Sequence, residues 1–194
     1  MEWLKFVGLG ILLAVIYGLI HDQITVRLSL EYFTVAHTLP PFIPANSPTL
    51  IGLFFGVAAT WWAGAILGGF LGLCARRGPE PRLVARQFVS PLLVVFGITA
   101  LAAFGLGLAA YWYTSPLSAE GTPLIYNNEY FEKNIPVARQ AGFFTAAVAH
   151  AASYAVSTLG VIILCIHTVW KRRLLERAAS LNVTTPADGS QSVP

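Results

Sequence analysis

Four long apolar runs, parted by short polar segments, dominate this chain. The first, Trp3 to Ile20, has 18 residues. As a helix rising ~1.5 Å per residue it is just long enough to cross a hydrocarbon layer of ~30 Å. The others cover about 48–74, 88–113 and 141–170. Apolar runs of this length predict membrane-spanning helices. The chain starts Met1-Glu2-Trp3-Leu4-Lys5, weakly basic, and no small-x-small cleavage site follows the first run. That pattern predicts a retained span and not a signal peptide.

The polar segments have their own patterns. Ile24, Val26, Leu28, Leu30 and Tyr32 alternate with polar residues, the period of a strand, so a short extended piece is expected over 24–28. A helical turn is expected over 29–36, with Ser29 as N-cap and Glu31 in the first turn, where the helix dipole favours an acid. Pro40, Pro41, Pro44 and Pro48 then impose an extended return to the second span. In that span Gly52, Gly56, Thr60, Gly64, Gly68 and Gly72 recur every four residues. Small residues in register form a ridge against which another backbone can pack closely. That partner is expected in the same chain, with a second copy as the alternative. The third span admits Pro91 in its first turn and ends on Tyr111, Trp112 and Tyr113, an aromatic cluster of the kind found at membrane interfaces. In the following segment Asn128 is placed to cap a short helix beginning at Glu129. Residues 183–194 are polar and lack periodicity, so they read as a disordered tail after a membrane domain of residues 1–182.

Composition agrees with the pattern. Of the 194 residues 56% are hydrophobic and only 11% charged, and mean hydropathy is +0.66. A water-facing surface needs roughly a quarter to a third charged residues, so most of this surface faces lipid. The net charge of +3 is too small and scattered for nucleic-acid binding. Lys5, Arg76, Arg77, Arg82, Arg86, Lys171, Arg172, Arg173 and Arg177 fall on one side of the predicted spans, and Arg27, Lys133 and Arg139 on the other. Nine against three orients both termini to the cytoplasm and places the 21–47 and 114–140 loops outside. The expected fold is an all-α, antiparallel four-helix transmembrane bundle in a bacterial inner membrane, with an ordered external cap built from those two loops.

The residues YGLIHDQITVRLSLEYFT at 17–34, SPTL at 47–50, ATWWAG at 59–64 and HAASY at 150–154 together resemble a family of small bacterial four-helix membrane proteins. Those carry a similar Tyr-Gly-x-x-His-(Asp/Asn)-Gln block followed by Glu-Tyr-Phe-Thr. The resemblance spans all but the tail. It implies a shared fold and supplies no activity, cofactor or catalytic residue.

Candidate chemistry is sparse. His150 lies within the fourth span, where an ionisable side chain usually points into a bundle or cavity. His21 and Asp22 stand at the outer end of the first span, and with Arg27, Glu31, His37, His150 and Tyr154 they make the candidate polar site. Histidine with carboxylate suits a divalent metal, for which His21, Asp22 and His150 are the candidates. No ligand-spacing motif accompanies them. The bland alternative is a network in which Asp22 pairs with Arg27, and Glu31 with Arg27 or Arg139. A haem held by His21 and His150 is a further alternative, although no cofactor is expected outright. Cys74 and Cys165 sit near ends of apolar runs without a Cys-x-x-Cys, against a disulfide framework or a thiol oxidoreductase. Nucleophile triads, phosphate loops and zinc-protease motifs are absent from the sequence. The leading expectation is a non-catalytic accessory, assembly or sensing protein acting through its cap and its helix packing. Its partners are the bilayer and either another protein or further copies of itself. A small oligomeric transporter or channel, with a polar path near Thr60 and His150, is the first alternative. A membrane metal or haem protein using His21, Asp22, His37 and His150 is the second.

Overall fold

The computed structural model describes residues 1–184, apart from Tyr126 and the side chains of residues 182–184. The tail expected over 183–194 lies, from residue 185 on, outside the described residues. Among the described residues there are helices and no strands. They are α1 (Glu2–Leu28), α2 (Leu30–Thr34), α3 (Pro48–Ala58), α4 (Trp61–Arg76), a 3-10 turn (Ala85–Phe88), α5 (Val89–Ala119), α6 (Glu129–Asn134) and α7 (Val137–Thr184). Four stretches of the described residues are long and apolar enough to cross a membrane: Glu2–Leu28, Pro48–Arg76, Ala85–Ala119 and Val137–Leu181. Their outward faces carry large apolar side chains such as Leu12, Ile16, Leu101, Phe104, Ile163 and Ile166, each well exposed.

The expected extended piece at 24–28 is helical. α1 continues two turns past Ile20 because the residues it buries there, Asp22, Thr25 and Val26, fall at helical spacing and not on alternate positions. Thr25 also donates to the His21 carbonyl, and Arg27 to the Gln23 side chain one turn back. The helical turn after it forms as expected. Ser29 caps α2, its hydroxyl accepting from the Tyr32 amide at 3.2 Å. Asn128 likewise caps α6, accepting from the Phe131 amide.

The second span is broken at Ala59–Thr60 into α3 and α4. There the Thr60 amide reaches only to Val57, and the Thr60 hydroxyl donates to the Gly56 carbonyl. The third span runs past Tyr113 to Ala119 despite Pro116. It stops where Gly121, at φ 78°, lets the Gly121 and Thr122 amides turn back onto the Ser118 and Leu117 carbonyls.

The glycine ridge packs inside the chain, against α1. A methyl group built on Gly64 would lie 2.5 Å from the Gly10 carbonyl oxygen, one on Gly56 would meet Leu19, and one on Gly72 would meet Trp3 and Phe6. A four-residue repeat drifts about 40° per step around a straight 3.6-residue helix. The break at Ala59–Thr60 interrupts that drift, and all six small positions stay on α1. The surface of α1 that receives them is itself a four-residue series, Phe6, Gly10, Ala14, Gly18, Asp22 and Val26, which the sequence reading missed. Trp3 fastens one end by donating its indole N–H to the Gly69 carbonyl at 3.0 Å.

α5 packs on α7, with Gly107 beside Thr145 and Ala149, and Gly160 against Val95. The two pairs meet along a looser seam where α7 touches α4 and α1. Apolar cores close the seam at both ends. Phe6, Leu71, Phe88, Leu92 and Val161 form one. Val26, Phe33, Ile43 and Ile51 form the other, beneath α2. At the first end Arg172 is buried and donates to three backbone carbonyls, those of Cys74 (2.7 Å), Pro81 (2.9 Å) and Glu80 (3.0 Å). It ties α7 to the end of α4 and to the 77–84 turn. At the other end Gln140, also buried, accepts from the Leu124 and Ile125 amides and donates to the Ile135 carbonyl. It latches the 120–135 segment onto α7.

Candidate functional site

Between the two cores the seam holds a cavity of about 70 Å³, bounded by α1, α4, α5 and α7. Its lower walls are Gly10, Ala14, Gly64, Leu67, Leu92 and Val161, and its upper end carries Tyr17, His21, Asp22, Thr60, His150, Ser153 and Tyr154. Against the other face of His21 and Tyr17 lies a larger apolar groove of about 510 Å³ between α1 and α5. The last turns of α1 therefore stand as a wall between two spaces.

His21 and Asp22 project from that wall, and His150 comes from α7 opposite. One ligating atom from each of the three lies within 4.8 Å of the others. His150 and Asp22 are almost fully buried. The His150 Nε2 is 3.2 Å from Asp22 Oδ1, and its Nδ1 is 2.8 Å from the Ala146 carbonyl oxygen one turn back. A backbone carbonyl only accepts, so Nδ1 carries the hydrogen and donates it to Ala146. That leaves Nε2 facing a second acceptor. Two lone pairs at 3.2 Å repel, so this contact requires a positive charge: a proton on the ring or the carboxyl, or a bound cation.

His21 adds a second unmet demand. Its Nδ1 is 3.5 Å from the Tyr17 hydroxyl, and its Nε2 is buried with no hydrogen-bond partner. The Tyr17 hydroxyl is itself anchored 2.6 Å from Ser153 Oγ. The His21 ring lies edge-on to that of His150, with centroids 4.6 Å apart. That contact leaves no gap between the two rings for a porphyrin.

The helical cap closes directly over the cluster. The Tyr32 ring lies 4.5 Å from the His150 ring, tilted by 31°, and Phe33 packs on its edge at 5.5 Å. Burial pushes the Tyr32 phenol up to about 12, with Tyr154 and Asp22 adding to the shift. Tyr32 stays neutral at any ordinary pH and can lie against a carboxylate without repelling it.

The structure thus brings together His21, Asp22, His150 and Tyr154 from the predicted polar site. It leaves the others outside. Arg27 does not pair with Asp22: it points to the opposite face of α1, donating to Gln23 and to the Thr49 hydroxyl. Five positions apart on a helix, residues 22 and 27 are turned to different sides. Glu31 accepts from Ser29 and meets Arg139 at 3.7 Å, tying α2 to α7 as the ion-pair reading expected. His37 is exposed, with Nδ1 2.8 Å from the Tyr32 carbonyl, and its ring packs on Tyr32 and Phe55. It belongs to the cap and not to the cluster. Tyr17 and Ser153 were missed as a pair, since nothing local signals a contact between residues 136 positions apart.

Many hydroxyls within the long helices bond to their own helix. Thr60, Thr99, Thr145, Ser153, Ser157 and Thr168 each donate to the carbonyl four residues back on their own helix. The two thiols are free. No protein family, curated protein or solved structure matches the chain.

Proposed function

We propose that the chain is an antiparallel four-helix transmembrane bundle of a bacterial inner membrane, with both termini cytoplasmic. Its cap of α2, α6 and their loops faces outward. In this reading it works without catalysis, as a sensing or accessory subunit whose cap is a recognition surface for another protein. One observation carries the proposal: Tyr32 and Phe33 of the cap pack directly on the ring of His150, the same ring that meets Asp22. Whatever changes the charge or occupancy of the buried cluster also changes the floor on which the cap rests. The Glu31–Arg139 pair and the Gln140 latch make that cap an ordered body able to transmit the change. A transport path through the bundle has less support. Below Thr60 the cavity wall is apolar apart from Ser157, and the nearby hydroxyls, Ser157 included, donate to carbonyls of their own helices.

The test is Asp22→Asn in the full-length protein in membranes. Hydrogen exchange should rise at least tenfold across residues 30–39 while α5 keeps its protection. A protein co-purifying with the wild type in mild detergent should be lost. Unchanged exchange in the cap, or the absence of any co-purifying protein, would overturn the reading.

A further inference from the structure

We propose that His21, Asp22 and His150 form a site for one divalent first-row transition metal ion, of the class represented by zinc. The assignment supplies the ligand for the cluster, and its effect on the cap rests on the sensing reading above.

Two independent observations point to a cation. The first is the pair of acceptors around His150, Ala146 oxygen on one ring nitrogen and Asp22 Oδ1 opposite the other. The second is His21 Nε2, a buried nitrogen with no partner, on a residue that offers a ligating nitrogen within 4.8 Å of those of Asp22 and His150. A metal ion placed among the three donors satisfies both. It replaces the missing positive charge between Nε2 and Oδ1, and it takes the lone pair of His21. The surroundings already have the form of a metal shell. Ligating histidines donate their other ring N–H to a carbonyl or similar acceptor, which fixes tautomer and orientation. His150 does so to Ala146, and the Tyr17 hydroxyl stands at His21 Nδ1.

Distances allow it. Four-coordinate zinc with bonds of ~2.0–2.2 Å sets neighbouring donors about 3.4 Å apart. Asp22 and His150 stand at 3.2 Å. The widest separation in the triad, at most 4.8 Å, needs to close by no more than about 1.4 Å, within reach of a ring rotation at His21. Two imidazoles and one carboxylate select a transition metal over calcium or magnesium, which prefer all-oxygen shells. Three protein ligands leave a coordination position open toward the cavity. Its volume of about 70 Å³ exceeds the ~10–15 Å³ that a water needs. A site open in this way exchanges its outer ligand, which suits reporting more than permanent bracing.

The experiment uses full-length protein in detergent, purified through a tag without histidine and stripped with chelator, then titrated with Zn²⁺ and Co²⁺. One ion per chain is expected. His21→Gln, Asp22→Asn and His150→Gln should each weaken Zn²⁺ binding at least tenfold. His37→Gln and His167→Gln, which alter the two remaining histidines, should change nothing. X-ray absorption on the zinc-loaded wild type should read two imidazole nitrogens and oxygen at ~2.0–2.2 Å, a result that needs no variant to fold. Failure of the wild type to retain an ion would overturn the proposal and leave a proton as the charge between Asp22 and His150. Retention that survives His150→Gln, or a zinc shell without imidazole, would overturn it too. Zinc binding with unchanged hydrogen exchange at 30–39 would keep the metal site and overturn the sensing reading. A cap loosened by Asp22→Asn in a protein that binds no zinc would do the reverse.

Discussion

The packing of α1 against the glycine ridge can be tested with two glycines two positions apart on the same helix. A methyl group on Gly10 would sit 2.3 Å from the Gly64 carbonyl oxygen and 3.0 Å from the Gly68 Cα. Both obstacles are backbone, so no side chain can swing aside. Relief requires α1 and α4 to part by about 1 Å, and inserting a methylene-sized group into a tight interface costs ~1–3 kcal/mol. At Gly8 a methyl group meets nothing within 4 Å. There the substitution gains only the helical preference of alanine over glycine, about 0.5–1 kcal/mol. The same preference acts at Gly10 and cancels in the comparison, so Gly10→Ala should be less stable than Gly8→Ala by roughly 1–3 kcal/mol, the packing cost alone. The difference is read as the unfolding midpoint in an SDS titration of the detergent-solubilised protein, followed by circular dichroism. In bilayers helix association depends on close packing, so parting the helices forfeits contact with little hydrophobic compensation. If Gly10→Ala proved as stable as Gly8→Ala, α1 and α4 would not be in backbone contact, and the ridge would belong to an interface between copies.

Three further outcomes are expected. Asp22→Leu or His150→Leu alone leaves a buried polar partner unmet and should cost about 3–5 kcal/mol, while the double substitution should cost less than the sum; additive losses in the same SDS assay would mean the two groups do not interact. Arg172→Met removes charge-assisted bonds to three carbonyls, a loss of about 3 kcal/mol or more. It should loosen the 77–84 turn so that trypsin cuts faster after Arg77 and Arg82, both already exposed, and a variant as resistant as wild type would refute the clamp. The raised Tyr32 phenol is neutral in the folded state up to about pH 12. Its contribution to stability is complete below about pH 10 and falls as pH rises toward the folded value, because only the unfolded chain ionises there. Tyr32→Phe should therefore leave the tyrosinate absorbance of the folded protein at about pH 11 nearly unchanged, and loss of a full tyrosinate would contradict the burial.

Four long helices, their approximate spans and the ridge from Gly52 to Gly72 were legible in the residues, because run length, hydropathy and a four-residue period are local properties. So were the caps at Ser29 and Asn128, where one side chain and an amide three residues on suffice. The ends of the helices were less so. The 24–28 segment alternates like a strand, yet it is helical because Asp22, Thr25 and Val26 must meet their neighbours on one face. A four-residue series on α1, the counterpart of the ridge, hides among larger side chains and becomes visible only with both helices in place.

The candidate site divides the same way. Residue chemistry alone marked His21, Asp22 and His150, since ionisable groups are rare and costly in an apolar chain. It also drew in Arg27 and His37, which are near in sequence. Distance along the chain says little about distance in space: Arg27 is turned away by the helix, and His37 is held in the cap by Tyr32. The 128 positions between Asp22 and His150 are closed by the packing of α7 against α1. That same docking leaves His21 Nε2 without a partner and sets two acceptors around His150. Local pattern could name the groups able to hold charge within the apolar helices. Which of them face each other, and what charge their meeting demands, follows from how α1 and α7 pack.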